Sequence, residues 1–365
     1  MIEDRRSHAS GPRLRDVRAV IPAELKQPDR RRAAGVMALV FTQVVVATAL
    51  AAVVWAKGWW VVAPLTWVLG SIAACSLFVA GHDCAHGSFL RSRRAMEVIG
   101  HLCMAPVLYP MRAWKYSHDA HHRETNRLGG GEGVYFDNAW SPRSEGDYRR
   151  MRDDDKPNAV LYRIIRLVPP VGSFLHLVGY HWRPSLYRPH HRRRVVRSMA
   201  ATLVIDAGLV GAIWASTGSV LAIAHFLLLP ALGFHAWMAL YTYLHHTADD
   251  IVFLDPERWT PIAGQLDGTV NCLAPRWLSF LHLNIDVHIP HHVTTSVPSY
   301  HLRAASEAIR ASEFGARMTE RPLTFAYLRQ TVSDCQLWRS SDDNYVRFAD
   351  QPSRRTRRGT QRSRW

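Results

Sequence analysis

Four stretches of this chain carry almost no charge, and they limit its possible folds more than any other feature. Residues 35–56, 59–80 and 219–244 contain no Asp, Glu, Lys or Arg, and residues 198–217 contain only Asp206. As helices, such runs are roughly 30–39 Å long, enough to cross the hydrocarbon core of a bilayer. Only Lys57 and Gly58 separate the first two, which demands a tight turn. Trp55, Trp59 and Trp60 cluster there, as in an interfacial aromatic belt. A second turn falls near Thr217 and Gly218. The pattern predicts an all-α integral membrane protein. Four transmembrane helices form two hairpins, with interfacial helices and a cytosolic histidine-rich cap.

Charge sets the orientation. Lys and Arg number 45 against 30 Asp and Glu, a net charge of +15. The stretch 81–197 between the hairpins is polar and rich in Arg. Positive-inside logic therefore puts both termini and this stretch in the cytoplasm. With apolar spans present, an anionic membrane surface explains the basic excess better than nucleic acid does. The chain divides into a basic N-terminal segment (1–34), a membrane and cap domain (35–350) and an Arg-rich tail (351–365). The first segment holds nine Arg and Lys and reads as a solvated tail or an anchor on anionic lipid. The last holds six Arg and reads as disordered. No cleavable signal peptide, phosphate-binding Gly-rich loop or internal repeat is visible. Five Cys without paired spacing read as reduced thiols.

Between the spans, residues 97–110 are apolar but too short to cross, which predicts an interfacial or re-entrant helix. Residues 160–182 are amphipathic and predict a helix lying in the interface, interrupted at Pro169-Pro170. Asp206 inside the third span is either functional or a protonated carboxyl bonded within the bundle.

Four histidine clusters lie at or beyond the cytosolic ends of these spans: His82-Asp83-Cys84-Ala85-His86, His118-Asp119-Ala120-His121-His122, His245-His246, and His288-Ile289-Pro290-His291-His292. With 20 His in the chain, chance would produce the HxxHH pattern about 0.06 times, and it occurs twice. Residues three and four apart share one face of a helix, so HxxxH aims two imidazoles at one point and HxxHH up to three. Four ligands fill a tetrahedral zinc site, so eight or nine convergent imidazoles imply two metal ions. Pro290 fits only the first turn of a helix, which weakens the shared-face argument for the last box. Asp83, Asp119 and Asp286 are candidates to accept an imidazole's outer N–H. Imidazole-rich, carboxylate-poor coordination at a membrane surface favours iron handling O2, with a long hydrocarbon chain entering from the membrane.

The flanking residues resemble the membrane fatty-acid desaturase family, closest to the cyanobacterial-type acyl-lipid Δ12 (omega-6) desaturases. The resemblance rests on Gly81-HDCAHGSF-Leu90, Ala105-PVLYP-Met111, Phe136-DNAW-Ser141, Tyr243-LHHT-Ala248, Gly268-TVNCLAPRW-Leu278 and Asn284-IDVHIPHHVTTSVPSYHLR-Ala304, and covers about residues 35 to 350. It implies a non-haem di-iron site. The implied ligands are His82, His86, His118, His121, His122, His288, His291 and His292, with His246 rather than His245 as the ninth. A polar residue ahead of the last box, Asn284 or Asp286, is implied as well. Ala85 stands where relatives often have Gly, Asn271 stands at a variable position, and the Gly129–Gly133 insertion is longer than usual. No haem-binding HPGG-like motif is present, so electrons come from a separate carrier. The family's bacterial members point to ferredoxin and to the bacterial inner membrane.

The three boxes alone are shared by hydroxylases, acetylenases and carotenoid oxygenases. A His-rich metal transporter or sensor is the reading of another class, but transporters bind near the membrane midplane, whereas these boxes lie past the span ends.

Overall fold

The computed structural model describes residues 11–351. A short helix, α1 (Leu14–Val20), leads to α2 (Arg30–Lys57), the first of four helices long and apolar enough to cross a membrane. Asp29 caps α2 by accepting the Arg31 and Arg32 N–H groups. Gly58, at φ 66, ends it in the left-handed conformation that glycine adopts without penalty. The second span, Trp60–His86, contains α3 (Ala63–His86). Two further helices, α4 (Arg93–Met104) and α5 (Met111–Glu124), complete the first half.

After a loop come α6 (Glu145–Asp154), α7 (Lys156–Leu167) and α8 (Pro169–His176). The third span is α9 (Pro189–Thr217). The fourth, Val220–His246, is built from α10 (Val220–Ile223) and α11 (Leu229–His246) with a π-helical turn between them. Phe41, Leu65, Val204 and Leu221 on these spans are between 66 % and 73 % exposed. So large an apolar exterior fits lipid rather than water.

The C-terminal part comprises strand β1 (Val270–Leu273), α12 (Arg276–Leu281), α13 (Ile289–Val293), α14 (Leu302–Arg310), β2 (Thr319–Pro322), α15 (Phe325–Asp334), β3 (Leu337–Arg339) and β4 (Asn344–Val346). β1 pairs with β2 in parallel and β3 with β4 antiparallel, in two small two-stranded sheets. All five Cys are free and buried.

Three local regions add detail to the expectations. Part of the basic N-terminal segment is folded: Leu14, Val17 and Ile21 pack into one hydrophobic cluster with Ile262, Leu266 and Val293. Their spacing of three and four residues is a helical apolar stripe, partly hidden among arginines. The interfacial stretch at 160–182 is two helices, α7 and α8 with its π-helical extension, bent by 115°. Val168 precedes Pro169, and the proline ring drives it out of helical conformation to φ −130 and ψ 75. Asp206 is buried, and neither carboxyl oxygen has a hydrogen-bond partner among the described residues. The Arg-rich tail lies outside the described residues, save Gln351 at its start.

Candidate metal centre

The histidines come together from four separated segments. His82 and His86 occupy the last turn of α3, His118, His121 and His122 lie on α5, and His245 and His246 end α11. His291 and His292 lie on α13, with His288 at its N-cap. Close approach of the backbone makes this possible. A Cβ at Gly81 would sit 2.5 Å from Met104 Cγ, so only glycine lets α4 pack against α3 beside His82. Gly87, at φ 80, then terminates α3 just past His86. Pro290 sits in the first turn of α13, where its missing N–H costs nothing.

Two groups form. His82, His86, His118 and His291 each offer a ring nitrogen within 4.8 Å of the others, and so do His121, His246 and His292. His288 joins the second group, with Nε2 3.1 Å from His246 Nε2 and 3.0 Å from His292 Nε2. His122 stands between the groups: its Nε2 is 3.0 Å from His118 Nε2 and its ring centroid 4.3 Å from that of His292. Of the doublet, His246 is the member that joins a group. His245 instead stacks on His288, at 4.1 Å between centroids, and neither of its ring nitrogens has a hydrogen-bond partner among the described residues. His282 bonds the Tyr241 hydroxyl at 2.9 Å and belongs to neither group.

The nitrogens are prepared for cations. His82 Nδ1 lies 3.1 Å from Asp83, His121 Nδ1 2.7 Å from Asp137, and His292 Nδ1 2.9 Å from the Gln265 side-chain oxygen. Each bond places the ring proton on Nδ1 and leaves a bare Nε2 facing inward. His246 Nε2 faces His121 and His288 together, while His288 Nε2 faces His246 and His292. One proton per ring cannot satisfy these contacts, whereas cations among bare nitrogens satisfy all of them. Burial lowers the pKa values of His118, His122, His288, His291 and His292 well below the ordinary imidazole range, and neighbouring imidazoles lower them further. Neutral imidazole is the ligating form. The residues therefore fit bound metal.

The carboxylates sort differently from their sequence positions. Asp83 is buried; besides meeting His82 it accepts the Ser299 N–H at 2.7 Å. Asp119 pairs with Lys115 at 2.8 Å and stays 3.9 Å from His86. Asp286 takes its bonds from Ser279, Ala274 and Arg303 rather than from an imidazole. Asn284 bonds Ser299 and Arg303. These two residues brace the turn ahead of α13.

Three contributors escaped sequence reasoning. Asp137 is fully buried and also accepts the Asn126 N–H at 2.7 Å. Gln265 donates to the His122 carbonyl while accepting from His292, which ties α5 to α13. Asn271 accepts the backbone N–H groups of His288 and Ile289 at 2.7 and 2.8 Å, so one side chain caps the helix of the last box. The only advance signal was that Asp137 and Asn271 fall within the flanking motifs.

A cavity of about 1010 Å³ opens beside both groups. His82, His118, His121, His246, His288 and His291 face it, and Phe78, Tyr109, Trp114 and Met238 supply apolar wall. Sites that enclose a drug-sized ligand run to roughly 300–1,000 Å³. The arrangement can hold a long apolar substrate against a histidine-lined metal site.

Comparison with known proteins agrees with this geometry. Residues 57–322 match the fatty acid desaturase family model. The chain is 32 % identical to the sn-1 oleoyl-lipid 12-desaturase of Picosynechococcus sp., over 94 % of each chain. It is 37 % identical to the enzyme of that name from Arthrospira platensis, over 69 % of each. The chloroplastic omega-6 fatty acid desaturase of Spinacia oleracea is 31 % identical over 92 % of this chain and 71 % of its own. Four spans, a histidine-lined metal site, an apolar cavity and these matches lead to one conclusion: the chain belongs to the fatty acid desaturase family and is an integral membrane oxidoreductase.

Proposed function

We propose that the protein desaturates an oleoyl-type acyl lipid near Δ12, using O2 and a non-haem di-iron centre. His82, His86, His118, His122 and His291 hold one iron, and His121, His246, His288 and His292 hold the other. The observation that carries this reading is the convergence of nine imidazoles beside an apolar cavity, in a chain whose relatives are named 12-desaturases. Iron at these positions supplies the O2-derived oxidant for C–H abstraction. The protein's own groups orient the ligands and exclude water. Asp83, Asp137 and Gln265 fix the tautomers of His82, His121 and His292. Two hydrogens leave the chain and two waters form. O2 accepts four electrons, two from the C–H bonds and two from an external donor.

That donor is an acidic one-electron carrier of the ferredoxin class, steered by a basic cytosolic face. The site belongs at the cytoplasmic side of a bacterial inner membrane, with both termini in the cytoplasm. Expression in a host that makes only saturated and monounsaturated chains tests the reading. The expected product is a 9,12-diene; a hydroxy or alkynyl product would replace the desaturase reading with a sister chemistry. The purified protein should contain about two irons per chain, because the imidazoles form two groups. One metal per chain, or zinc without O2 consumption, overturns the di-iron assignment.

A further inference from the structure

The same cavity has a second, charged section that the metal centre does not use. Arg166, on α7, is 1 % exposed and lines it, as does Arg143 in the preceding loop. The Arg166 guanidinium donates to the backbone oxygens of Trp140 and Cys335 and lies 5.2 Å from the centre of the Tyr243 ring. Its Nε has no partner among the described residues. Arg143 is exposed at the rim, its guanidinium 5.8 Å from the centre of the Tyr162 ring. Tyr162 lies one helical turn before Arg166 on α7. Its hydroxyl is already committed, accepting the Arg143 N–H and donating to the Gln336 carbonyl. Among the described residues, neither guanidinium is within ion-pair distance of a carboxylate. The nearby carboxylates that line the cavity are taken: Asp147 by Arg150 and Asp255 by Arg258. A buried cation without a counter-charge is costly, and a second cation at the rim adds repulsion. A bound anion offsets both costs: the Arg143 fork matches a phosphate, and Arg166 adds its charge and its Nε–H.

We propose that Arg143 and Arg166 seat the anionic headgroup phosphate of the acyl glycerolipid whose chain occupies this cavity. The inference rests on the acyl-lipid reading above and adds the headgroup class. The flanking helices favour a lipid over a soluble carrier: Leu161, Ile164, Val171, Phe174 and Val178 on α7, α8 and its extension are exposed apolar residues, suited to the membrane interface.

The test is a competition. Full-length protein in nanodiscs receives equimolar dioleoyl phosphatidylglycerol and dioleoyl monogalactosylglycerol with a reduced donor, and products are resolved by headgroup in a mass spectrometer. The phospholipid should be desaturated roughly ten-fold faster or more, the range of one or two charge-assisted hydrogen bonds. Arg143→Gln should bring the ratio towards one. Arg163→Gln should leave it unchanged, since that guanidinium lies 5.3 Å from the centre of the Phe348 ring, away from the cavity. Arg166→Lys, which keeps charge but loses the Nε–H, should also lower the ratio; if it fails to fold, Arg143→Gln decides. Spin-labelled phosphatidylglycerol should be immobilised by the protein without turnover, and less so by Arg143→Gln. Equal rates on both lipids, or a ratio unmoved by Arg143→Gln, overturn the headgroup site and leave the acyl-lipid reading standing. Desaturation of a carrier-bound oleoyl thioester and of neither lipid overturns both.

Discussion

The two imidazole groups are built to different standards of rigidity. The group of His121, His246 and His292 is fully buried, and two of its rings are held from behind by buried groups, Asp137 and Gln265. The group of His82, His86, His118 and His291 is less buried, with three of its four members only partly enclosed. Asp83 supports His82, but among the described residues the Nε2 of His86 has no partner, and Asp119 near it is engaged by Lys115. One group is thus held by buried polar partners, and the other is more open. The difference comes from where the ligands arise. The second group joins the ends of α5, α11 and α13, whereas half of the first group sits on the last turn of a single membrane helix.

Loss of a ligand tests this contrast most severely. His292→Ala and His118→Ala should each lower activity by more than the roughly 10–100-fold expected from losing an outer partner. Metal analysis should show a missing ion in both. If either variant keeps wild-type activity and metal content, that imidazole is not a ligand. Next in size is Asp137→Asn, which leaves the His121 ring without its anionic acceptor. It should lower metal affinity or activity by roughly 10–100-fold, measured by chelator competition. An effect no larger than that of Asp119→Asn would erase the contrast in outer support. Asn271→Ala removes two buried bonds to the α13 N-terminus. It should cost roughly 1–3 kcal/mol of stability, seen as a lower thermal midpoint in detergent. Asp119→Asn should matter least. Its main partner is Lys115, a partly exposed neighbour one helical turn away, and such pairs contribute about 0.3–0.5 kcal/mol. Its activity should stay within about two-fold of the parent.

Box spacing and outer support were not equally legible in the sequence. HxxxH and HxxHH predict their own geometry because helix periodicity is local. Asp119 and Asp286 looked like partners because they sit beside box histidines, yet a neighbour in sequence need not point the same way. Asp119 is turned towards Lys115, and Asp286 faces Ser279 and Arg303. Asp137 lies 16 residues from His121 and Gln265 lies 27 from His292, separations that no spacing rule reaches. The N-terminal stripe Leu14, Val17 and Ile21 was overlooked for another reason: charge dominates the composition of its segment, while its apolar period is short.

The sequence by itself determined the four apolar spans, the boxes at their ends and the number of imidazoles. Each follows from hydrophobicity or from a helical repeat within a few residues. The tertiary structure alone decided which imidazoles gather into each group and which distant oxygens hold the rings. It also brought Arg143 and Arg166 to the same cavity. These outcomes depend on how helices from opposite ends of the chain pack, and packing over such separations leaves no periodic trace in the residues.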